Sequence, residues 1–135
     1  MKSVTGSPVK LHPRYHRNAY LFVFSSLQFT QERLNRTAAD VLREEEAHIN
    51  GRELCEGFRD LALHKFSMLT TTVLNRWGVN STEDIGRIVF ELIERGEMRK
   101  TENDALDDFD DVYDFEEAFH RGYQLDLSKA FRESR

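Results

Sequence analysis

The sequence predicts a mainly α-helical fold, built as one compact helical domain. Three observations predict it. Apolar residues recur every three or four positions through most of the middle of the chain. Cap residues stand ahead of several of these runs, two of them with a Glu three positions on. Glycines sit where the periodicity ends. A length of 135 residues suits a single domain with one core, and 39% hydrophobic against 32% charged residues suits helices with a well-solvated outer surface.

Residues 1–13, with Gly6, Pro8 and Pro13 among small polar residues, read as a flexible basic arm, and residues 14–122 as the helical domain. The first helix is expected from about Arg14 to Arg33, on the stripe Tyr20, Val23, Phe24, Leu27 and Leu34. Tyr20 to Phe24 alone fits a strand equally well, but length and the polar sequel Gln31-Glu32-Arg33 favour helix. A short helix from Thr37 to about Ala47 follows, burying Val41 and Leu42. Asn50 then caps a long helix, with Glu53 completing a capping box. Its stripe is Leu54, Phe58, Ala62, Phe66, Leu69, Val73 and Trp77, and the β-branched run Thr70 to Val73 predicts a break or kink near Ser67.

Ser81 caps the next helix, Thr82 to Arg95, with Ile85, Ile88, Val89, Leu92 and Ile93 inward and Gly96 as its stop. Gly86 inside it costs about 1 kcal/mol against Ala, which points to close helix packing there. A short extended segment is expected at Met98 to Thr101, leaving room for a β-hairpin or wing after this helix. Asp114 caps a last helix, Phe115 to His120, and residues 123–135 form a marginal C-terminal tail. Leu54, Phe58, Leu61, Trp77, Ile85, Val89 and Leu92 are the expected core.

The net charge is −5, unevenly spread. Residues 1–20 hold Lys2, Lys10, Arg14 and Arg17 with no acid, whereas residues 102–117 hold nine acids and no base. Such polarity belongs to solvated segments, and it also offers a head-to-tail contact between copies, so a homo-oligomer is among the expected assemblies. The longest apolar run, Ala19 to Phe24, is too short to span a bilayer, and residues 1–10 lack the apolar core of a secretory signal. The single Cys55 excludes an internal disulfide framework and favours a reducing compartment, so a cytoplasmic protein with no membrane partner is expected.

The candidate sites follow from this charge pattern. Asp107, Asp108, Phe109, Asp110, Asp111 and Tyr113 combine steering charge with aromatic anchors, the chemistry of a docking surface for a basic protein partner. The competing reading folds the aromatics back onto the core and leaves the acids in water. No Gly occupies the EF-hand position of this stretch, which argues against a calcium loop. A helix-turn-helix with a wing is the alternative, with Arg87, Arg95, Arg99 and Lys100 as its nucleic-acid contacts. Four acids on the Thr82 to Arg95 helix oppose it, because duplex affinity comes largely from cations facing phosphates. His12 and His16 have the spacing of two ligands on one helix face but lack a third. Cys55, with His48 or His64 as base, is a weak nucleophile candidate against the commoner role of a small buried hydrophobe. With no Gly-rich phosphate loop, Gly-x-Ser-x-Gly elbow or His-Glu-x-x-His pair, the sequence predicts no cofactor, no metal and no catalytic residue.

Five short runs occur in order: Gly51-Arg52-Glu53-Leu54, Trp77-Gly78-Val79, Thr82-Glu83-Asp84-Ile85-Gly86, Ile88-Val89-Phe90 and Asp111-Val112-Tyr113-Asp114-Phe115. With them the chain resembles a family of small uncharacterised bacterial proteins of similar length, over about residues 15–120. The resemblance implies a stand-alone bacterial domain and carries over no catalytic residue. The function expected from the residues is a non-enzymatic protein-interaction module with an acidic-aromatic surface, ahead of a winged-helix-like nucleic-acid binder and an enzyme of unknown type.

Overall fold

The computed structural model describes residues 15–37, 39 and 47–121. The basic arm, nearly all of the Thr37 to Ala47 helix and the C-terminal tail lie outside the described residues. Within them the chain is mainly helical, with four α-helices: α1 (Arg17–Arg33), α2 (Gly51–Phe66), α3 (Thr70–Arg76) and α4 (Thr82–Glu94). Short 3-10 turns at Ser67–Leu69 and Leu106–Phe109 and a wide π-turn at Glu117–Arg121 complete the order.

Local chemistry sets the helix ends. Asn50 accepts from the Glu53 amide (2.8 Å) while the Glu53 carboxylate accepts from the Asn50 amide (3.1 Å), so two orphan donors are satisfied reciprocally. Ser81 caps α4 through the Asp84 amide. At the C-termini, Asn35, Gly78 and Gly96 adopt φ of 56°, 84° and 77°. Each donates to the carbonyl three residues back while the following residue reaches five back, as in Glu97 N to Leu92 O (2.9 Å). Asp114 Oδ1 accepts from the Glu116 and Glu117 amides and starts the last helical segment, which opens into the π-turn rather than continuing as α-helix.

α4 is the centre of the packing. It contacts α1, α2 and the Leu106–Phe109 turn. Thr82, Asp84, Ile85, Gly86, Ile88, Val89 and Leu92 are buried, an arc of roughly 200° at ~100° per residue. α1 crosses α2 where Gly57 meets Thr30, and a methyl on Gly57 would overlap Thr30 Oγ1. Thr30 and Ser26 are themselves fully buried, and each hydroxyl donates to the carbonyl four residues back, so neither is left unsatisfied. Phe22 meets Phe58 edge to face at 5.0 Å, and Trp77 tilts against Phe22 and meets Phe66 edge to face.

Leu54, Phe58, Leu61, Ile85, Val89 and Leu92 are buried as their spacing requires, and Trp77 is half-buried. The expected single stripe from Leu54 to Trp77 is divided. Ser67 takes φ 49°, the chain tightens through Ser67–Leu69, and the helix resumes rotated. Thr70 and Leu74 then face inward, Val73 is half-buried and Leu69 is 57% exposed. Among the described residues there is no strand, so the hairpin or wing allowed for after α4 is not formed. The Gly96 turn folds the chain back, Met98 N donates to Leu92 O, and Thr101 N donates to Asp104 Oδ2. The backbone groups an extended segment would need are thereby used in turns.

Polar side chains tie α1 to α4 within this core. The Asp84 carboxylate accepts from Tyr15 OH (2.6 Å), Arg87 (2.8 Å) and the Asn80 amide (2.8 Å), and His16 N donates to Trp77 O (3.0 Å). Further along, Tyr20 OH donates to Glu91 (2.6 Å) with Arg95 over its ring. Burial, then the adjacent carboxylates, pushes both phenols above the ordinary 10.0, and burial pushes the Cys55 thiol from 9.0 up to about 12. Groups held neutral in the fold stabilise it below their unfolded pKa and lose that contribution as pH rises toward the folded value. The melting temperature is therefore expected to fall once pH passes about 9, with Cys55→Ala delaying the first part of the fall. A profile flat to pH ~11 would contradict these burials.

Candidate functional site

The segment after α4 carries the acidic-aromatic stretch, and its geometry begins with glycine. Neither Gly51, opening α2, nor Gly86, in the first half of α4, has a side chain, and the Phe109 ring lies between them. A Cβ on Gly86 would stand 2.7 Å from Phe109 Cβ and Cγ, and one on Gly51 would stand 3.1 Å from Cε2. Gly86 thus admits an aromatic ring from a 3-10 turn, where close packing of two helices was expected. Phe109 is 4% exposed and meets Phe90 edge to face.

Beyond it, Val112 N donates to Thr82 Oγ1 (3.2 Å) and Tyr113 OH to Cys55 O (2.7 Å), with the Arg59 guanidinium over the Tyr113 ring. Tyr113, Phe115 and Phe119 pack on one another, with Phe119 buried. Phe109 and Tyr113, expected as docking anchors, are therefore turned inward, because their apolar rings find a seat on α2 and α4. The acids go the other way. Asp107, Asp108, Asp110 and Asp111 are all exposed, beside the 46% exposed Leu106. Asp108 accepts from the Ala105 amide (2.9 Å), which holds the turn. The result is an acidic ridge at residues 107–111, fixed from beneath by a locked ring.

The ridge borders a cleft of about 440 Å³, floored by Phe24, Leu27, Leu54, Phe90, Ile93 and Met98. At its edge His48 Nε2 lies 2.9 Å from Asp104 Oδ1. No sequence spacing brought these two together, since 56 residues separate them. Cys55 is fully buried elsewhere, and its raised pKa keeps it a thiol, so it offers no nucleophile to any histidine. His16 caps α1, its Nδ1 accepting from Asn18 N, and His12 lies outside the described residues. Among the described residues no group of three or more His, Cys, Asp or Glu is placed to hold a metal ion, and no helix is long and apolar enough to cross a membrane.

The four cations weighed as nucleic-acid contacts are scattered. Arg87 is paired with Asp84, and Arg95 with Glu91 and Glu97, while Arg99 and Lys100 stand at the cleft rim. In α4, Arg87 and Glu94 are exposed and Glu83, Phe90, Glu91 and Ile93 half-buried, so the outward side of the expected recognition helix carries three acids against one arginine. No family model, no curated protein and no solved structure matches the chain.

The Phe109 seat makes a testable coupling. Gly86→Ala is expected to cost about 1–3 kcal/mol by overpacking. In a Phe109→Ala background the same change should be neutral or regain up to about 1 kcal/mol of helix propensity. Chemical denaturation of the four chains measures this. Equal costs in both backgrounds would show that the ring does not occupy the slot.

Proposed function

We propose that the chain is a non-enzymatic interaction module whose acidic ridge docks against a basic surface of a partner protein. One observation carries this reading: four exposed carboxylates within five residues are held outward by a ring locked between Gly51 and Gly86. Packing alone does not call for that charge density. Like charges so close repel by fractions of a kcal/mol per exposed pair, roughly, at ordinary ionic strength. Only the Asp108 carboxylate holds the turn, and an Asn oxygen could accept the same bond. With the aromatics turned inward, Leu106 and the neighbouring cleft supply the apolar part of the contact, and the acids supply steering. The cytoplasm of a bacterium is the proposed setting, resting on the single Cys55 and on the resemblance of the five sequence runs.

Replacing Asp107, Asp108, Asp110 and Asp111 together with Asn is the direct test. The variant is expected to melt at the same temperature or slightly higher. It should also lose the basic proteins that the wild type retains from its host, chiefly through slower association. An identical partner set at normal stability would remove the ridge from function, and collapse of the fold would make these carboxylates structural.

Nucleic-acid binding ranks below this reading, a ranking supported by the three acids on the outward side of α4 and its paired arginines. Duplex DNA is expected to bind no better than it does to a generic acidic protein. Sub-micromolar affinity at physiological salt, lost steeply as salt is added, would reverse the order.

A further inference from the structure

A second concave surface has the opposite character to the ridge. Between the start of α1 and the α3–α4 turn lies a groove of about 750 Å³. Tyr20, Phe24 and Trp77 contribute its apolar lining, and Leu21, 52% exposed, stands at its edge. Arg17, Arg76 and Arg95 line it with Glu97 as the one acid. Arg95 is engaged by Glu91 and Glu97. Arg17 and Arg76 are exposed and have no ion-pair partner among the described residues. In a chain of net charge −5 this is a local cationic surface with an aromatic floor, and it fits an acidic segment carrying an apolar side chain.

The same chain presents such a segment. The ridge offers four exposed carboxylates beside the exposed Leu106, and none of its residues lines the groove. It is seated on Gly51 and Gly86, outside the lining of the groove of its own copy. We propose that the groove receives the acidic ridge of a second copy, with Leu106 against Trp77 and Leu21 and the carboxylates facing Arg17 and Arg76. This rests on the ridge being a docking surface and names its partner. Because the two surfaces differ, the contact is heterologous. Each copy keeps one surface unused, so association continues into open chains or closes into a ring.

Sedimentation velocity of the full chain and two variants tests this. The ridge variant carries Asn at 107, 108, 110 and 111, and the groove variant carries Arg17→Gln and Arg76→Gln. The wild type is expected to grow beyond a dimer as concentration rises, and raising salt from about 0.05 to about 0.5 M should weaken it roughly tenfold. Each variant alone should stay monomeric with an unchanged circular dichroism spectrum. Their equimolar mixture should stop at a dimer, since it retains one working groove and one working ridge per pair.

A wild type monomeric to its solubility limit overturns the proposal. If the ridge variant then still loses a basic host protein, the interaction-module reading survives on its own. Either variant associating as the wild type does would also overturn it, as would a mixture that stays monomeric. Binding of a free acidic peptide by a monomeric wild type would assign the groove to a foreign partner and overturn self-docking.

Discussion

The constraint on which the rest depends is the breadth of the buried face of α4. A helix inward-facing over about 200° cannot be covered by one neighbour, since two packed helices meet along a narrower seam. α1 and α2 cover part of it. What remains, around Gly86, is too tight for a helix side-chain row and is closed by Phe109 from a 3-10 turn. The position of the acidic ridge follows from that closure. Once the ring enters the slot, its neighbours at 107, 108, 110 and 111 point to water because nothing else is left for them to face.

The polar contacts within the core serve the same end. Asp84 gathers donors from Tyr15 just ahead of α1, from the α3–α4 turn and from its own helix, so one carboxylate fixes the start of α4 to two other segments. Such a group is costly to bury alone and acceptable when fully hydrogen-bonded. Tyr20, Glu91 and Arg95 repeat the pattern nearly two turns further on. Two of the four cations that a nucleic-acid reading would use, Arg87 and Arg95, are engaged in these junctions.

What the sequence made legible was whatever local chemistry decides. Asn50 with Glu53, Ser81, Gly78 and Gly96 mark their helix ends because caps are satisfied within a few residues. The break at Ser67 was legible, but its consequence was not. A rotation of phase through Ser67–Leu69 exchanges Leu69 for Thr70 and Leu74, and no count of intervals foretells its size. Ser26 and Thr30 escaped notice because a hydroxyl that bonds to its own helix can be buried at little cost, and polarity then misleads. In the site, periodicity says that Phe109 is apolar but not which way it turns. That direction depends on Gly51 and Gly86, 58 and 23 residues away. The meeting of His48 and Asp104 is tertiary in the same sense.

Fixing the ridge changes what its charge can do. A mobile acidic run would find cations of its own chain, Arg17 and Arg76 among them, and much of its field would be cancelled internally. The seated run does not line the groove that holds them. The ring of Phe109 between two glycines fixes the acids at a place that does not line the cationic groove. Separation of that kind leaves both surfaces available to other molecules over about a Debye length, and preorganisation spares them the entropy of ordering on contact. The fold thus spends an apolar side chain on holding charge in place, which is the physical basis of the docking role proposed for the ridge.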